Sequence, residues 1–217
     1  MKKGIIFDLD GVIVDTAKYH YLAWKKMAAQ FGYDFTEEEN EAFKGVSRIR
    51  CMELLLEMAQ VEASQEQINE WLFQKNQDYL AYIEQMDQEE LLPGVLTALS
   101  FFKSRQIPTA LGSASKNARP ILEKVGLLSY FDAVVDGNDV SAAKPDPEVF
   151  LVAARQLGVT PEQCVVFEDS TAGIEAAQRA KMRTVGIGHT DSLGKADVVF
   201  AQFTDMDETF LNGLLTA

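Results

Sequence analysis

Cysteine is scarce in this chain, whose 217 residues include only Cys51 and Cys164. The two lie far apart in the sequence and neither belongs to a C-x-x-C pair, so a disulfide framework and a thiolate zinc site are both disfavoured. A reducing compartment fits this cysteine usage best, and we therefore expect a cytoplasmic protein.

Long apolar runs are missing as well. The first seven residues resemble the start of a signal peptide, but Asp8 and Asp10 interrupt the apolar stretch before it reaches the length that export requires. No run of 18 apolar residues follows, so the sequence predicts a soluble protein without a membrane-spanning helix. Fixed-period repeats and low-complexity linkers are also absent from the sequence.

Basic residues are outnumbered, since 20 Lys and Arg stand against 33 Asp and Glu for a formal net charge of −13. Nucleic acid and anionic membranes repel such a chain at long range, so neither is an expected partner. An anionic substrate would need a local group of cations or a bound metal. The 47% apolar and 24% charged residues are typical of a folded chain, long enough for one domain with a smaller partner.

Six short apolar runs are typical of strands buried on both faces, as in a parallel sheet. Helical patterns lie between them, which favours a doubly wound α/β fold with a mostly parallel sheet and a Rossmann-like core. The predicted strands span residues 4–9, 108–112, 133–135, 164–167, 184–187 and 198–200, and predicted helices include residues 118–125, 147–157 and 172–180.

The segment after the first strand carries helix signals and no convincing strand. Thr36 with Glu39, and Ser64 with Gln67, match the capping box that begins a helix. A Pro-Gly pair at residues 93–94 indicates the return to the sheet. The predicted domains are a core of residues 1–15 and 93–217 and an inserted helical cap of residues 16–92, with hinges at the two junctions.

Acidic residues follow two of the predicted strands. Asp8 and Asp10 end the first strand with both carboxylates on one side of an extended chain, about 7 Å apart. Glu168 and Asp169 follow the strand 164–167. Because parallel strands end at a shared edge, the four carboxyl groups are expected to converge, and oxygen ligands alone suit Mg²⁺. Lys144, in a proline-stiffened loop after another strand, would supply further positive charge.

Hydroxyl, ammonium and amide groups follow the strand 108–112, where a helix begins. Free amides and the positive end of the helix dipole make this segment suitable for a phosphate oxygen. The implied reaction is phosphoryl transfer, with Asp8 as the nucleophile that forms an aspartyl phosphate and Asp10 as the general acid and base. The candidate phosphate-binding residues are Ser113, Ala114, Ser115, Lys116 and Asn117.

Each of these features also has a plainer explanation. An Asp-x-Asp after a strand is often a turn, a Glu-Asp pair before a helix complements the helix dipole, and Lys144 alone is a surface lysine. The Ser-Ala-Ser segment fits a simple helix cap equally well. The coincidence of four such features at the strand ends of one sheet favours the catalytic interpretation.

Together, these motifs resemble those of the haloacid dehalogenase superfamily of phosphotransferases. The resemblance spans nearly the whole chain, and it rests on the sequence Asp-Leu-Asp-Gly-Val-Ile-Val-Asp-Thr at residues 8–16, on Ser113, on Lys144 and on Glu168-Asp169. It implies that Asp8 becomes phosphorylated and that Asp10 serves as acid and base. The residues that it implies as Mg²⁺ ligands are Asp8, the Asp10 carbonyl, Glu168 and Asp169, and the other catalytic residues in the core are Ser113 and Lys144.

Within the superfamily, the chain is similar to the phosphosugar mutases in Tyr19-His20, Trp24 and residues 44–48 and 113–117. This likeness implies an enzyme that interconverts β-glucose 1-phosphate and glucose 6-phosphate through a sugar bisphosphate. We expect the protein to be a monomer. One phosphate would bind at the core and the other at Arg48. Further implied cap residues are Thr16 and His20, which would couple the hinge to Asp10, Lys75 near the sugar, and the substrate-binding segment Lys44, Gly45, Val46, Ser47 and Arg48.

Two features of the cap remain open in this interpretation. A Gly-Val-Ser-Arg segment that starts a helix places an arginine fork beside free amides, which suits a second phosphate, although Arg48 paired with an acid is an alternative. Cys51 stands where the likeness would place a serine, which puts one cap hydrogen bond in doubt.

Two alternative functions share parts of this pattern. A phosphatase of the same superfamily, acting on a small sugar phosphate, would use every core residue. A receiver-type signalling module also gathers acids, a hydroxyl, a lysine and Mg²⁺ at a sheet edge, but such modules are about half this length and carry no helical insertion. A true dehalogenase is disfavoured, because it has no use for Asp10 or for the metal-binding acids.

Overall fold

The computed structural model describes residues 3–43 and 46–216. The chain forms two compact units, which we call the sheet unit, Met1–Asp15 with Asp87–Ala217, and the helical unit, Thr16–Met86. Lys44 and Gly45, two of the predicted substrate-binding residues, lie outside the described residues.

In the part of the chain that the structure describes, six parallel strands form the sheet, in the order β3-β2-β1-β4-β5-β6. This order confirms the predicted doubly wound parallel sheet, because the chain moves outward on one side of β1 and then crosses to the other side. The strands are β1 (Gly4–Phe7), β2 (Thr109–Gly112), β3 (Ala133–Val135), β4 (Cys164–Glu168), β5 (Arg183–Ile187) and β6 (Val198–Phe200).

Ten α-helices accompany these strands in the described residues. The helical unit contains α1 (Ala17–Gln30), α2 (Glu37–Glu41), α3 (Arg48–Ala59) and α4 (Gln65–Ile83). The sheet unit contains α5 (Val95–Ser104), α6 (Ala118–Lys124), α7 (Glu148–Leu157), α8 (Thr171–Arg179), α9 (Thr190–Leu193) and α10 (Glu208–Thr216). Within residues 3–43 and 46–216, none of the helices is both long enough and apolar enough to cross a membrane.

Both faces of the sheet are covered, as the continuous apolar runs predicted. Ile6 belongs to a core cluster with Phe150 of α7 and Ala177 of α8. On the opposite face, the Phe7 ring stacks on the Phe167 ring at 4.8 Å and meets Phe102 of α5 edge to face at 6.2 Å. Because side chains alternate along a strand, adjacent apolar residues such as Ile6 and Phe7 fill the two separate layers.

The first strand is shorter than the predicted residues 4–9. It ends at Phe7, because the chain then turns and the Leu9 carbonyl accepts hydrogen bonds from the amides of Ile13 (2.8 Å) and Val14 (3.1 Å). Gly11 has a φ of +77° in this turn, a conformation that glycine adopts without strain.

The helical unit also ends earlier than the predicted residue 92. Residues 87–92 belong to the sheet unit, since Leu91 bridges to Val14 and the Leu92 amide donates to the Ile13 carbonyl at 3.0 Å. These pairings connect distant parts of the chain, so the local sequence does not indicate them.

Both predicted capping boxes are present in the helical unit. Thr36 accepts from the Glu39 amide at 3.2 Å and donates its own amide to Glu39 Oε2 at 2.8 Å. Ser64 and Gln67 exchange the equivalent bonds at 3.3 and 2.9 Å. Each box satisfies amides that have no partner inside the helix, so α2 and α4 begin where the sequence predicts.

Candidate active site

The carboxyl ends of β1 and β4 lie side by side in the middle of the sheet. Phe7 pairs with Phe167, and the Asp8 amide donates to the Phe167 carbonyl at 2.9 Å. The connections of the sheet run in opposite directions from these two strands, so their ends form the topological switch point where open α/β sheets bind ligands. Asp8 and Glu168 stand at this point.

Three of the four predicted acids come together at the switch point. Asp8, Glu168 and Asp169 each offer a carboxylate oxygen, and these oxygens lie within 4.8 Å of one another. Asp8 is 5% exposed and Glu168 is 1% exposed. Asp10 is outside this group of oxygens, although its charge acts on both Asp8 and Asp169.

Lys144 lies among these acids, which excludes the plainer interpretation of a surface lysine. Its Nζ donates to Asp8 Oδ1 at 2.5 Å and to Glu168 Oε2 at 2.8 Å. Burial disfavours the ammonium, but the Asp8 and Glu168 carboxylates outweigh this effect and raise the pKa of Lys144 above its ordinary value. Lys144 therefore stays charged and holds one oxygen of Asp8.

One ammonium does not balance three carboxylates. Burial, with repulsion by Glu168 and Asp10, raises the pKa of Asp8 to about 8 although Lys144 opposes the change. Burial, with repulsion by Glu168 and Asp8, also raises the pKa of Asp169 well above its ordinary value. Ionisation of all three acids would leave two negative charges uncompensated beside Lys144, and oxygen ligands of this kind fit a hard divalent cation, so Asp8, Glu168 and Asp169 could hold one.

Two glycines make room for the acids. A Cβ on Gly11 would overlap the carboxyl group of Asp169, and a Cβ on Gly173 would overlap the carboxyl group of Glu168. The sequence analysis did not reveal the requirement at Gly173. Its only signal was a glycine in the first turn of a helix directly after the Glu-Asp pair.

Ser170 fixes the carboxylate of Glu168 from the other side. Its hydroxyl and its amide both donate to Glu168 Oε1, at 2.7 and 3.1 Å. The same hydroxyl accepts from the Gly173 amide at 3.1 Å and thereby caps α8. The start of α8 and the orientation of Glu168 are therefore determined by one side chain.

The segment from Ser113 to Asn117 connects β2 to α6 in the sheet unit. The Ser113 hydroxyl is buried and accepts from the Ser115 amide at 3.1 Å, and the Ser115 hydroxyl accepts from the Asn117 amide at 3.2 Å. Asn117, which precedes α6, makes no side-chain capping bond to the helix. The hydroxyls thus shape the loop itself, which differs from the simple helix cap that the sequence also allowed.

The loop after β3 supports this segment, a feature that the sequence did not reveal. The Gly137 amide donates to the Ser115 carbonyl at 3.1 Å, and the Asn138 side chain donates to the Lys116 carbonyl at 3.0 Å. A Cβ on Gly137 would overlap the Ala114 carbonyl oxygen. The close approach of the two loops therefore depends on a glycine at position 137.

The helical unit contains a separate group of buried cationic and aromatic side chains. Lys75 is 2% exposed, and its Nζ lies 3.0 Å from His20 Nδ1, 4.5 Å from the Trp24 ring centroid and 5.0 Å from the Tyr79 ring centroid. Burial, with the charges of Lys75 and Arg48, lowers the pKa of His20 well below its ordinary value. Because an ammonium only donates, neutral His20 accepts at Nδ1 and carries its proton on Nε2.

Arg48 and its neighbours begin α3. Ser47 accepts from the Arg50 amide at 3.3 Å and caps the helix, and Val46 precedes it. Arg48 is half-buried, and burial lowers its pKa, an effect that Tyr79 opposes. Thr16 is fully buried before α1, and its carbonyl accepts from the His20 amide at 3.0 Å. These residues lie in the helical unit, whereas the acids and Lys144 lie in the sheet unit.

Cys51 contacts two backbone carbonyls of the helical unit. Its Sγ lies 3.8 Å from the Phe43 carbonyl oxygen and 3.7 Å from the Val46 carbonyl oxygen. Burial raises the pKa of the Cys51 thiol to about 12. The thiol therefore stays neutral and acts as a weak donor to the backbone on either side of residues 44–45.

Comparison with known proteins identifies the family to which the chain belongs. The family model of haloacid dehalogenase-like hydrolases matches residues 2–181, and the chain belongs to this family. This result confirms the resemblance that the motifs indicated.

The chain is similar over most of its length to two curated relatives and to one crystal structure. Beta-phosphoglucomutase of Bacillus subtilis is 40% identical over 206 residues, which cover 94% of this chain and 91% of that protein. A phosphorylated carbohydrates phosphatase of Thermotoga maritima is 34% identical, over 89% of each chain. The crystal structure of beta-phosphoglucomutase from Clostridium difficile is 37% identical and matches with a TM-score of 0.94, covering 100% of this chain and 98% of that one.

Proposed function

We propose that this chain is a Mg²⁺-dependent β-phosphoglucomutase. It would interconvert β-D-glucose 1-phosphate and glucose 6-phosphate through an aspartyl-phosphate enzyme and glucose 1,6-bisphosphate. The observation that supports phosphoryl transfer is the buried Asp8, which shares a cation-binding cluster with Glu168 and Asp169 and is held by Lys144. The mutase reaction rests on the similarity to the B. subtilis enzyme.

The sheet unit would carry out the transfer. An oxygen of Asp8 forms a bond to phosphorus while the bond between phosphorus and the sugar oxygen breaks, and Asp10 donates a proton to that sugar oxygen. In the second half-reaction, Asp10 takes a proton from the other sugar hydroxyl as it attacks the aspartyl phosphate. Lys144 orients Asp8 and offsets its charge as the phosphate arrives. The loop with Ser113, Ala114, Ser115, Lys116 and Asn117 would bind phosphate oxygens.

A divalent cation would complete the charge balance of this site. Asp8, Glu168, Asp169 and the carbonyl of Asp10 would hold Mg²⁺, which when bound neutralises charge on the phosphoryl oxygens. The acid cluster fits such an ion because its ligands are oxygens and because Lys144 alone leaves two negative charges uncompensated.

The helical unit would bind the phosphate that is not being transferred. Arg48 supplies two-pronged hydrogen bonds beside the start of α3, with Lys44, Gly45, Val46 and Ser47 before it in the sequence. Lys75 of α4 and neutral His20 of α1 would add further hydrogen-bond donors. The expected coupling of Thr16 and His20 to Asp10 stays a prediction.

A product assay tests this proposal directly. β-Glucose 1-phosphate is supplied with Mg²⁺ and a trace of glucose 1,6-bisphosphate, and glucose 6-phosphate and free phosphate are measured in parallel. We expect glucose 6-phosphate to account for most of the substrate consumed. Release of free phosphate in step with substrate loss would instead identify a hydrolase.

The second candidate is a phosphatase that acts on a small sugar phosphate. The T. maritima relative, named as a phosphatase of phosphorylated carbohydrates, favours it, since that protein is 34% identical over 89% of each chain. The two candidates share the phosphoryl-transfer site and differ in whether water or a sugar receives the phosphate from Asp8. The monomeric state, the cytoplasmic location and the absence of nucleic-acid or membrane partners stay predictions from the sequence.

The variant Arg48→Ala separates phosphoryl transfer to the sugar from hydrolysis of the aspartyl phosphate by water. Loss of a charge-assisted pair of hydrogen bonds to the second phosphate should lower kcat/KM for β-glucose 1-phosphate about 10- to 100-fold. Hydrolysis of the aspartyl phosphate needs no second phosphate and should change less than about threefold. Steady-state kinetics and the decay of isolated phosphoenzyme measure the two effects.

Arg50→Ala is the matched control for this variant. Arg50 lies on the same helix and pairs with Glu53 at 2.8 Å and Glu57 at 3.3 Å on the surface of the helical unit. Its removal should leave both rates unchanged. Equal slowing of sugar phosphorylation and of phosphoenzyme hydrolysis by Arg48→Ala would contradict the role given to Arg48.

A further inference from the structure

Lys144 lies in a loop whose shape must deliver its ammonium to two acids. The loop, residues 141–147, connects the region after β3 to α7, and we call it the Lys144 loop. It is partly exposed, since Ser141, Ala143 and Asp146 face solvent, yet Lys144 is 7% exposed. A solvent-exposed segment of this kind needs specific bonds to hold one buried side chain in place.

A single oxygen of Glu148, the first residue of α7, accepts hydrogen bonds from the beginning of the Lys144 loop. Glu148 Oε2 accepts from the Ser141 amide at 2.8 Å, the Ser141 hydroxyl at 2.9 Å and the Ala142 amide at 2.8 Å. These bonds lower the pKa of Glu148 below its ordinary value, first through the Ala142 amide. The carboxylate is therefore charged at neutral pH, and its bonds are of the stronger, charge-assisted kind.

The end of the Lys144 loop is held to the same helix. Asp146 Oδ1 accepts from the Glu148 amide at 2.9 Å, and the Asp146 amide donates to the Ala143 carbonyl at 3.0 Å. Arg179 of α8 donates to the Pro145 carbonyl at 3.3 Å. Glu148 thus bonds to the loop on both sides of Lys144, through its side chain before it and through its amide after it.

We propose that Glu148 is a positioning residue for Lys144, whose ammonium it keeps between Asp8 and Glu168 by fixing the start of the Lys144 loop. The inference rests on the proposed phosphoryl transfer at Asp8 and concerns a residue that touches neither the acids nor the substrate. Three donors converge on one oxygen, so the role requires an acceptor with several lone pairs and a negative charge. An acid that only complemented the dipole of α7 would need none of these three bonds.

Three variants test the inference in the full-length protein. Glu148→Ala removes the acceptor, Glu148→Gln keeps a neutral acceptor, and Glu208→Ala is the control, since Glu208 lies in the first turn of α10 and pairs with Arg105 at 2.6 Å. The rate of Asp8 phosphorylation by glucose 1,6-bisphosphate is measured in single-turnover experiments with Mg²⁺, and KM is measured by steady-state kinetics. Acetylation of Lys144 by acetic anhydride is measured by peptide mass spectrometry without substrate.

Displacement of Lys144 should slow the chemical step rather than substrate binding. For Glu148→Ala we expect Asp8 phosphorylation to slow about 10- to 100-fold, with KM changed less than about threefold, and Lys144 to become more readily acetylated. Glu148→Gln should lose only about fivefold in rate, because its amide oxygen still accepts hydrogen bonds from the loop, although more weakly than a carboxylate does. Glu208→Ala should match the unmodified protein in every measurement.

Several outcomes would overturn the inference. They are an unchanged phosphorylation rate in Glu148→Ala, a change in KM alone, or slowing that Glu148→Gln does not relieve. Failure of the proposed function is distinguishable, because a chain that phosphorylates Asp8 but makes no glucose 6-phosphate is no mutase and still reports on Glu148. If Asp8 is never phosphorylated, the acetylation of Lys144 still decides whether Glu148 holds the loop.

Discussion

Asp8→Asn is expected to abolish phosphoenzyme formation, with a loss of about 10⁴-fold or more in turnover. The asparagine keeps the shape of the side chain but has no carboxylate to attack phosphorus. The measurement is the gain of one phosphoryl group, detected by intact-protein mass spectrometry after mixing with glucose 1,6-bisphosphate and Mg²⁺.

The same substitution should not destabilise the fold. Folding raises the pKa of Asp8 from 3.8 to about 8, chiefly by burial, so the folded chain holds this proton more tightly than the unfolded chain. The cost of this shift to folding grows as the pH rises from about 4 to about 8 and persists in full above pH 8, and a neutral asparagine removes it. In metal-free buffer at pH 7, we expect the Tm of Asp8→Asn to equal or exceed that of the unmodified protein.

Asp191→Asn is the control for this experiment. Asp191 lies in the first turn of α9 and is exposed. Its variant should form phosphoenzyme at the normal rate. Incorporation of phosphate into Asp8→Asn would show that another residue is the nucleophile.

The sequence was informative about the sheet because the strands are buried on both faces. The run 133–135 coincides with the buried strand β3, since an uninterrupted apolar run has few other places in a folded chain. The run 198–200 coincides with β6, which is only partly buried at the edge of the sheet. Once the strands are parallel, Asp8 after β1 and Glu168 at the end of β4 must lie along one edge of the sheet. Their convergence also requires that β1 and β4 be neighbours, a pairing that the sequence did not reveal.

The features that the sequence did not reveal depend on contacts between distant segments. Gly137 matters because the loop after β3 meets the loop after β2, and Lys75 reaches His20 because α4 packs on α1. The hydrogen bond from the Ser141 amide to Glu148 depends on the conformation of the loop between them. No periodicity or spacing encodes such contacts, because each depends on how complete elements pack.

Gly173→Ala is expected to weaken Mg²⁺ binding about 10- to 100-fold, the effect typical of disturbing a residue that orients a metal ligand. The added Cβ would overlap the carboxyl group of Glu168, and Glu168 has little freedom to move, because Lys144 and Ser170 bind its two oxygens. Calorimetric titration with Mg²⁺ measures the affinity, and the Mg²⁺ dependence of Asp8 phosphorylation checks it independently.

Helix propensity alone predicts that Gly173→Ala stabilises the protein and leaves its Mg²⁺ affinity unchanged. The variant therefore distinguishes that effect from the predicted overlap with Glu168. Alanine is favoured over glycine in a helix interior by about 1 kcal/mol, so a substitution that met no neighbour would stabilise the helix. Gly213→Ala in α10 is such a substitution, since nothing lies within 4 Å of its added Cβ. We expect Gly213→Ala to raise the Tm with unchanged Mg²⁺ affinity. The same result for Gly173→Ala would show that Glu168 is free to shift, and would remove the basis for assigning it a fixed place beside the ion.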